Sequence, residues 1–331
     1  MLDAGLYRLS FFCNRKYGNL KTISQNFMES FMENIFIINP FAGQGKAVKL
    51  IPKIDNLLMD TGVTYSIYIT KAKGDAERFV RETLEERNNV RFYACGGDGS
   101  LHEVVNGAKG YPDAEIGVIP VGSGNDFIRN FDNKELFLDI KAQINGKSMP
   151  CDVIDINGMY IVNMANIGFD CDAAEKAIAW KKRPLFTGTM AYVCGVVEMF
   201  IKPMGKKLSF RFGDGKTLSG KFILCTLANG CFCGGGFKSS PEATLDDGLI
   251  DVGIVKMLSR LTFISILPRY KAGTYLNTKI GKKKVIYEKY DAVEIVAKEP
   301  VNISTDGEIR EFTHIKAKNV PRAFRFIVPA K

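Results

Sequence analysis

The sequence predicts two folds in one chain: a parallel, doubly wound α/β domain, then an antiparallel β-sandwich-like domain with inserted helices. Three patterns predict this. Up to about residue 150, apolar strands alternate with amphipathic helices, as in a parallel sheet covered on both faces. Beyond Cys151, short β-prone runs follow one another through hairpin dipeptides. Three strands of the first half also run straight into turns rich in glycine and polar residues.

The first strand covers residues 34–38. Val48, Ile51, Ile54, Leu57 and Leu58 mark one face of a helix that stops at Gly62. Residues 63–69 form a second strand, and Asp75 caps a helix carrying Phe79, Val80 and Leu84 inward. The run 90–95 reads as a buried strand. Leu101, Val104, Val105 and Ala108 then repeat at i, i+3, i+4 and i+7, one helix face. Residues 116–120 form another buried strand. In the second half, strands are expected at 153–156, 160–164, 207–212, 222–227 and 250–255, with Asn157-Gly158 and Asp214-Gly215 at turns. Helical stretches 173–202 and 258–275 interrupt them. Asp246-Asp247-Gly248 reads as a turn before strand 249–252. Asp306-Gly307-Glu308 reads as a hairpin turn between strands 301–304 and 312–317, and 322–328 is a last strand.

Composition narrows the class. A chain of 331 residues with 46% hydrophobic and 24% charged residues is long enough for two globular domains. It has no internal repeat and no apolar run long enough to span a bilayer. Its eight cysteines include no C-x-x-C pair, and Cys231-Phe232-Cys233 has the wrong spacing for a zinc knuckle, so a reduced cytoplasmic protein is expected. His102 is expected to face solvent and His314 to lie in a late strand. Neither has a nucleophile pattern beside it, which argues against a Ser/His/Asp hydrolase. Residues 1–31 show no clear periodicity. They read as a start placed too early, with Met32 leading into the first strand, against the alternative of a real added arm.

The turns carry the chemistry. Gly96-Gly97-Asp98-Gly99-Ser100 opens a helix, where exposed amides and the positive dipole end can hold phosphate. An acid fixed there suits magnesium or a reacting phosphoryl group. The competing reading is structural, with Ser100 and Glu103 as an S-x-x-E capping box. Val121-Gly122-Ser123-Gly124-Asn125-Asp126-Phe127 and Asn39-Pro40-Phe41-Ala42-Gly43-Gln44-Gly45-Lys46 follow two other strands. All three turns would gather at the carboxyl edge of one sheet, where open α/β folds bind ligands. A G-x-x-x-x-G-K-[ST] P-loop is absent.

These segments resemble the diacylglycerol kinase catalytic-domain family of lipid kinases, in its bacterial soluble branch, related to sphingosine and ceramide kinases. The resemblance rests on residues 39–46, Gly96 to Ser100 with Glu103 to Gly107, Gly122 to Phe127, residues 241–252 and Asp306-Gly307-Glu308, in the family's order. Ser100 stands where Thr is usual and His102 where Asn is usual. The resemblance implies ATP and Mg2+ as cofactors. The nucleotide would be held at Asn39, Pro40, Phe41, Ala42, Gly43, Thr70, Gly96, Gly97, Asp98, Gly99, Ser100 and Ser123. Asp98, and next Asp126, would act electrostatically at the phosphates. From spacing alone Thr70 serves equally as a turn cap, and Asp126 as a helix cap. The resemblance further implies Glu308 as general base, with Asp306 the lesser candidate. It implies a structural magnesium on Asp247 and the main-chain oxygens of Thr244 and Leu249.

It also implies that the C-terminus returns to the first domain. The expected domains are therefore 32–150 with 320–331, and 151–319. The reaction implied is phosphate transfer from ATP to a lipid alcohol, diacylglycerol giving phosphatidate. The rivals are NAD kinase-like action on a soluble hydroxyl, and a non-catalytic lipid-binding protein on the same scaffold.

Net charge is +9, from 45 basic and 36 acidic residues. Basic clusters fall at Lys181-Lys182-Arg183, at Lys202 with Lys206-Lys207, and at Lys279 with Lys282-Lys283-Lys284. They suit an anionic membrane surface met transiently at the inner leaflet, although any one can be a solvated face. Nucleic acid is the competing partner, but no nucleic-acid signature accompanies them. A homodimer is compatible with all of this. The helical stretches 173–202 and 258–275 either pack on the sheet, the favoured reading, or line a lipid cavity or touch the bilayer.

Overall fold

A computed structural model describes residues 32–87, 89–181, 198 and 204–331. The chain divides into two compact units, one running to Cys151 and including Arg322–Lys331, the other Asp152–Pro321.

In the first unit, β1 (Glu33–Ile38), β2 (Tyr65–Ile69), β3 (Val90–Gly96) and β4 (Glu115–Pro120) form a parallel sheet in the order β2-β1-β3-β4. Alternate residues of a strand face opposite sides. Phe36 and Ile38 face one side with Tyr93, Cys95 and Ile119, and α1 (Leu50–Leu58) covers them through Ile54 and Leu58. Ile35 and Ile37 point the other way and are also buried, so these strands read as unbroken apolar runs. The helix α2 (Asp75–Glu86) packs on α3 (Asp98–Gly107), which packs on β3. The short α4 (Ile140–Ile144) adds Ile140 to the α1 side.

The second unit is antiparallel. The hairpin of β5 (Lys147–Ile156) and β6 (Met159–Ile161) turns at Asn157-Gly158, both at positive φ as a two-residue turn demands. β7 (Met164–Gly168) and β8 (Lys206–Phe212) share the gap between two long strands, β9 (Thr217–Ala228) and β12 (Ala292–Thr305). Outside β9 lie β10 (Ile250–Lys256) and then β11 (Val285–Tyr290); outside β12 lies β13 (Glu308–Val328). The curled sheet encloses a core that includes Ile154, Ile167, Phe210, Cys225, Ile254, Ile295 and Ile303. Residues Arg325 and Phe326 of β13 pair in parallel with Glu115 and Ile116 of β4. Among the described residues, the unit also holds the helices α5 (Phe169–Lys181), α6 (Arg260–Lys271) and α7 (Lys279–Lys284).

Several expectations change at helix starts. Residue Gly74, at φ +81°, precedes α2, so Asp75 is its first helical residue and does not cap it. Its carboxylate instead accepts from Lys71 N (2.8 Å), Tyr68 Oη (3.0 Å) and Arg78 Nη2 (2.5 Å). Burial raises the Asp75 pKa, but these donors outweigh it and hold the carboxyl below its usual range. The α3 helix begins at Asp98 after Gly97, which puts Ser100 inside the helix and leaves no capping box with Glu103. His102 is buried rather than solvent-facing. The strand expected at 160–164 is two strands, β6 and β7, with Val162 and Asn163 between them donating their amides to Asp306. The helix expected from 173 is described as far as Lys181. Its remainder apart from Glu198, the N-terminal segment 1–31, Cys13, Cys194 and the basic residues Lys182, Arg183 and Lys202 lie outside the described residues.

The α2–α3 contact depends on Gly107, where a Cβ would lie 2.6 Å from Glu77 O and 2.8 Å from Val80 Cβ. Gly107→Ala should lower unfolding free energy by about 1–3 kcal/mol, measured by urea denaturation. An unchanged midpoint would show that the helices tolerate a methyl group there.

Candidate functional site

Four parallel strands end at one edge of the first sheet, and each end carries expected residues. Thr70 follows β2, and its amide (2.9 Å) and hydroxyl (3.3 Å) donate to Ile38 O. Asn39 follows β1. Its Oδ1 accepts from Phe41 N (3.1 Å) and its Nδ2 donates to Ser100 Oγ (3.2 Å), so the first turn is tied to the third strand's helix. Pro40 and Phe41 form the turn, with Phe41 80% exposed at its tip. Ala42 and Gly43 open a 3-10 turn, with Gly43 at φ +58°.

The turns touch one another through main chain. Gly96 O accepts from Val121 N (2.9 Å) and Gly122 N (3.2 Å). A Cβ on Gly122 would lie 2.4 Å from Gly97 Cα, and one on Gly43 2.0 Å from Val121 O. A Cβ on Gly96 would lie 2.1 Å from Ser100 Oγ, so the buried hydroxyl of Ser100 takes the space that glycine leaves. Gly99 faces open space, and Ser123 is exposed. The N-terminal amides of a helix have no partner within it. At the start of α3, where the three turns meet, Ser100 N and Leu101 N already donate to Gly97 O (3.0 and 3.2 Å), so donors for a ligand can come from the amides ahead of Ser100.

The acids of this edge hold the turns. Asp98 accepts from Asp126 N through Oδ2 and from Phe127 N through Oδ1, both at 3.1 Å. Asp126 is buried and pairs with Arg129 Nε at 3.2 Å, and Arg129 Nη2 donates to Gly124 O (3.1 Å). Asp126 precedes a 3-10 turn, Phe127–Asn130, but its side chain makes no cap bond there. Both carboxylates flank Gly124, where a Cβ would lie 3.0 Å from Asp98 Oδ2 and 3.6 Å from Asp126 Oδ2. Sequence reasoning missed Arg129 and Asn125. The i,i+3 spacing of Asp126 and Arg129 carried the first signal. Asn125 sits at φ +50° and donates to Pro120 O and Gly122 O, which a Gly-Asn dipeptide hints at weakly.

In the second unit, Asp306 and Gly307 are the two central residues of the β12–β13 hairpin, at φ +49° and +92°. Asp306 Oδ1 accepts from Asn163 N (2.9 Å) and Met164 N (3.0 Å), and Oδ2 from Val162 N (2.8 Å). Its carboxylate is committed to the main chain. Glu308 begins β13, partly buried, with Oε2 on Arg310 Nη2 at 3.0 Å.

The 244–249 turn is fastened by the fully buried Asp152, whose Oδ2 accepts from Gly248 N at 2.7 Å. Asp247 accepts from Leu249 N (3.1 Å) through Oδ1 and from Lys289 Nζ (2.6 Å) through Oδ2, and Leu249 O accepts from Asn319 Nδ2 (3.2 Å). Lys289 Nζ also lies 3.3 Å from the buried Asp251. Burial raises the Asp247 pKa, but Lys289, Thr244 and the Leu249 amide prevail and lower it. No cluster of three His, Cys, Asp or Glu placed for a metal occurs among the described residues. The donor chemistry of this turn still fits a hard cation. A carboxylate has about four acceptor positions, and main-chain oxygens complete such sites.

Known proteins match this chain along both units. Residues 33–156 match the model of the diacylglycerol kinase catalytic domain, and residues 163–328 that of the YegS C-terminal NAD kinase beta sandwich-like domain. A diacylglycerol kinase of Staphylococcus carnosus is 30% identical over 274 residues, covering 82% of this chain and 87% of the relative. A "Probable lipid kinase YegS-like" of Alcanivorax borkumensis is 29% identical, covering 81% and 88%. The crystal structure of a diacylglycerol kinase from Bacillus anthracis superposes with a TM-score of 0.65 at 22% identity, covering 90% of this chain and 97% of that one. That last likeness speaks for the fold alone.

If Asp98 fastens the second turn, Asp98→Ala should speed hydrogen exchange at the Asp126 and Phe127 amides at least about tenfold, since a charged acceptor is worth about 1.5–3 kcal/mol. Amides in the middle of β3 and β4 should keep their rates. Unchanged exchange at residues 126 and 127 would mean that the carboxylate does not hold the turn.

Proposed function

The chain belongs to the diacylglycerol kinase catalytic-domain family of lipid kinases, and on that premise we propose that it transfers the γ-phosphate of ATP to the free hydroxyl of diacylglycerol, with magnesium, giving phosphatidate. One observation carries the nucleotide part: three glycine-bearing turns meet at one sheet edge around a helix N-terminus. Such an edge fits a triphosphate, because glycine lets main chain approach phosphate oxygens and the helix end offers its amides.

Phosphoryl transfer needs placement, charge neutralisation and an alcohol that can lose its proton. The amides of Gly97, Asp98 and Gly99 and the hydroxyl of Ser100 supply placement, with Asn39, Thr70 and the segment from Pro40 to Gly43 lining the nucleotide and Ser123 at the rim. Asp98 and Asp126 hold the turns and bias the site toward cations. Magnesium bound with the triphosphate neutralises charge that develops on it. Glu308 takes the proton of the lipid hydroxyl. The alcohol oxygen bonds to the γ-phosphorus, the bond to the β–γ bridging oxygen breaks, and ADP leaves. Asp306 is passed over as base because its two oxygens already accept three main-chain amides. A lipid acceptor places the reaction at a membrane, reached peripherally from the cytoplasm at the inner leaflet.

The test is transfer from labelled ATP to mixed lipids and, separately, to NAD. The reading expects label in the lipid phase. Label in NAD, or in neither, would overturn it. Glu308→Gln should then lower turnover on the order of 10²–10⁴-fold with nucleotide affinity within about twofold, and wild-type turnover would remove Glu308 from the mechanism.

The carboxylate of Asp247 and the carbonyls of Thr244 and Leu249 would hold a second, structural magnesium. Magnesium chloride should raise the melting temperature of the wild type over that in EDTA, without nucleotide, and leave Asp247→Asn unmoved. An equal response in both proteins would place the ion elsewhere.

A further inference from the structure

The positive charge of this chain is concentrated. Residues 256–284 contain eight basic side chains and no acidic one, while the rest of the chain balances 37 basic against 36 acidic residues. This segment covers the end of β10, α6, a 3-10 turn (Tyr275–Asn277) and α7.

The fold turns the segment's charges and part of its apolar surface outward. In α6, Phe263 and Ile266 are buried, and Phe263 belongs to a core cluster that Leu267 and Tyr270 pack against. Phe263 packs on Phe169 with ring centroids 4.7 Å apart. Leu261 and Ile264, three residues apart and so on one face, are 81% and 51% exposed. A helix apolar on two faces calls for a second apolar neighbour. In α7, a Cβ on Gly281 would lie 2.0 Å from Tyr275 O, so the helix is pressed on the 3-10 turn by its glycine. Lys279, Lys282 and Lys283 are exposed. Between the two helices lies a hollow of about 290 Å³, with Met257, Leu258 and Ile280 in its wall and Lys279, Lys283 and Lys284 around it. Its volume suits a headgroup rather than an acyl chain.

We propose that this α6–α7 face is the surface by which the second unit docks on an anionic phospholipid bilayer: Leu261 and Ile264 enter the acyl boundary, and the lysines of α7 meet lipid phosphates around the hollow. Charge complementarity selects the occupant. Lysines near an anionic leaflet are attracted to it, and protruding aliphatic side chains gain by leaving water for the acyl boundary. A second copy of the chain is disfavoured, since a two-fold contact sets this all-positive face against itself. Nucleic acid would satisfy the lysines but not Leu261 and Ile264.

The proposal rests on the reading that the acceptor is a lipid, and its test is separable from that reading. The full chain is sedimented with phosphatidylcholine vesicles, with and without phosphatidylglycerol, at rising salt. Wild type should bind only the anionic vesicles, more weakly as salt rises. Leu261→Ser with Ile264→Ser, and separately Lys279→Glu with Lys282→Glu and Lys283→Glu, should each weaken binding at least tenfold with melting temperatures kept. Leu261→Ser alone, at a side chain that touches little, serves if a combined variant melts early. Lys298→Glu with Lys318→Glu, exposed charges on β12 and β13, should bind within twofold of wild type.

Patch variants that bind like wild type would overturn the proposal, as would an equal loss in the Lys298 and Lys318 control. So would tighter binding to duplex DNA than to anionic vesicles, with the patch variants losing the DNA. Phosphate transfer is measured in parallel on short-chain diacylglycerol in micelles, where patch variants should keep wild-type turnover. Absence of transfer with vesicle binding intact would sink the kinase reading and leave the docking face standing.

Discussion

The two amide bonds from Asp126 and Phe127 to the carboxylate of Asp98 hold together the edge of the first sheet. They let two glycine turns rest main chain against main chain, with Gly97 and Gly122 too close for any Cβ on the second. With that contact made, Gly96 O can accept two amides of the following turn, and Gly43 can lie against Val121 O. Asn39 reaches Ser100 across the same edge. An aspartate suits the position because its short side chain carries two strong acceptors. The price of such an arrangement is conformational: four glycines must be ordered within a small volume.

The second unit uses aspartate in the same way. Asp306 gathers three amides of residues 162–164, and Asp152 fastens Gly248. Asp98 and Asp306 thus each spend both carboxylate oxygens on main-chain amides. Glu308 pairs with the Arg310 side chain at the partly exposed start of a strand. In the proposed mechanism its carboxylate exchanges that partner for the substrate hydroxyl, which Asp306 could do only by releasing its turn.

Much of this was legible in the sequence, and the failures have physical causes. Strand–helix alternation revealed the parallel sheet, and Asn157-Gly158 and Asp306-Gly307 revealed hairpins because both need residues tolerant of positive φ. Helix starts were harder. Gly74 and Gly97 end the preceding turns and set where α2 and α3 begin, so Asp75 and Ser100 fall inside helices where local rules read them as caps. Burial of His102 belongs to a helix buried on nearly every side, with only Glu103 of residues 100–107 left out, and one-face periodicity does not show that. The strand β11 was missed because its residues Tyr287, Glu288 and Lys289 alternate weakly at the sheet's edge. The turn at 244–249 was legible as a pair of acids, but Lys289 lies 42 residues from Asp247 and no local pattern joins them.

The central claim is that main-chain amides of the glycine turns receive the triphosphate, and amide chemical shifts report on it most directly. Titrating labelled protein with a non-hydrolysable ATP analogue should perturb the amides of residues 97–100 and 121–124 most strongly, in one saturable transition. Saturable binding that leaves those amides unmoved and perturbs others would contradict the account.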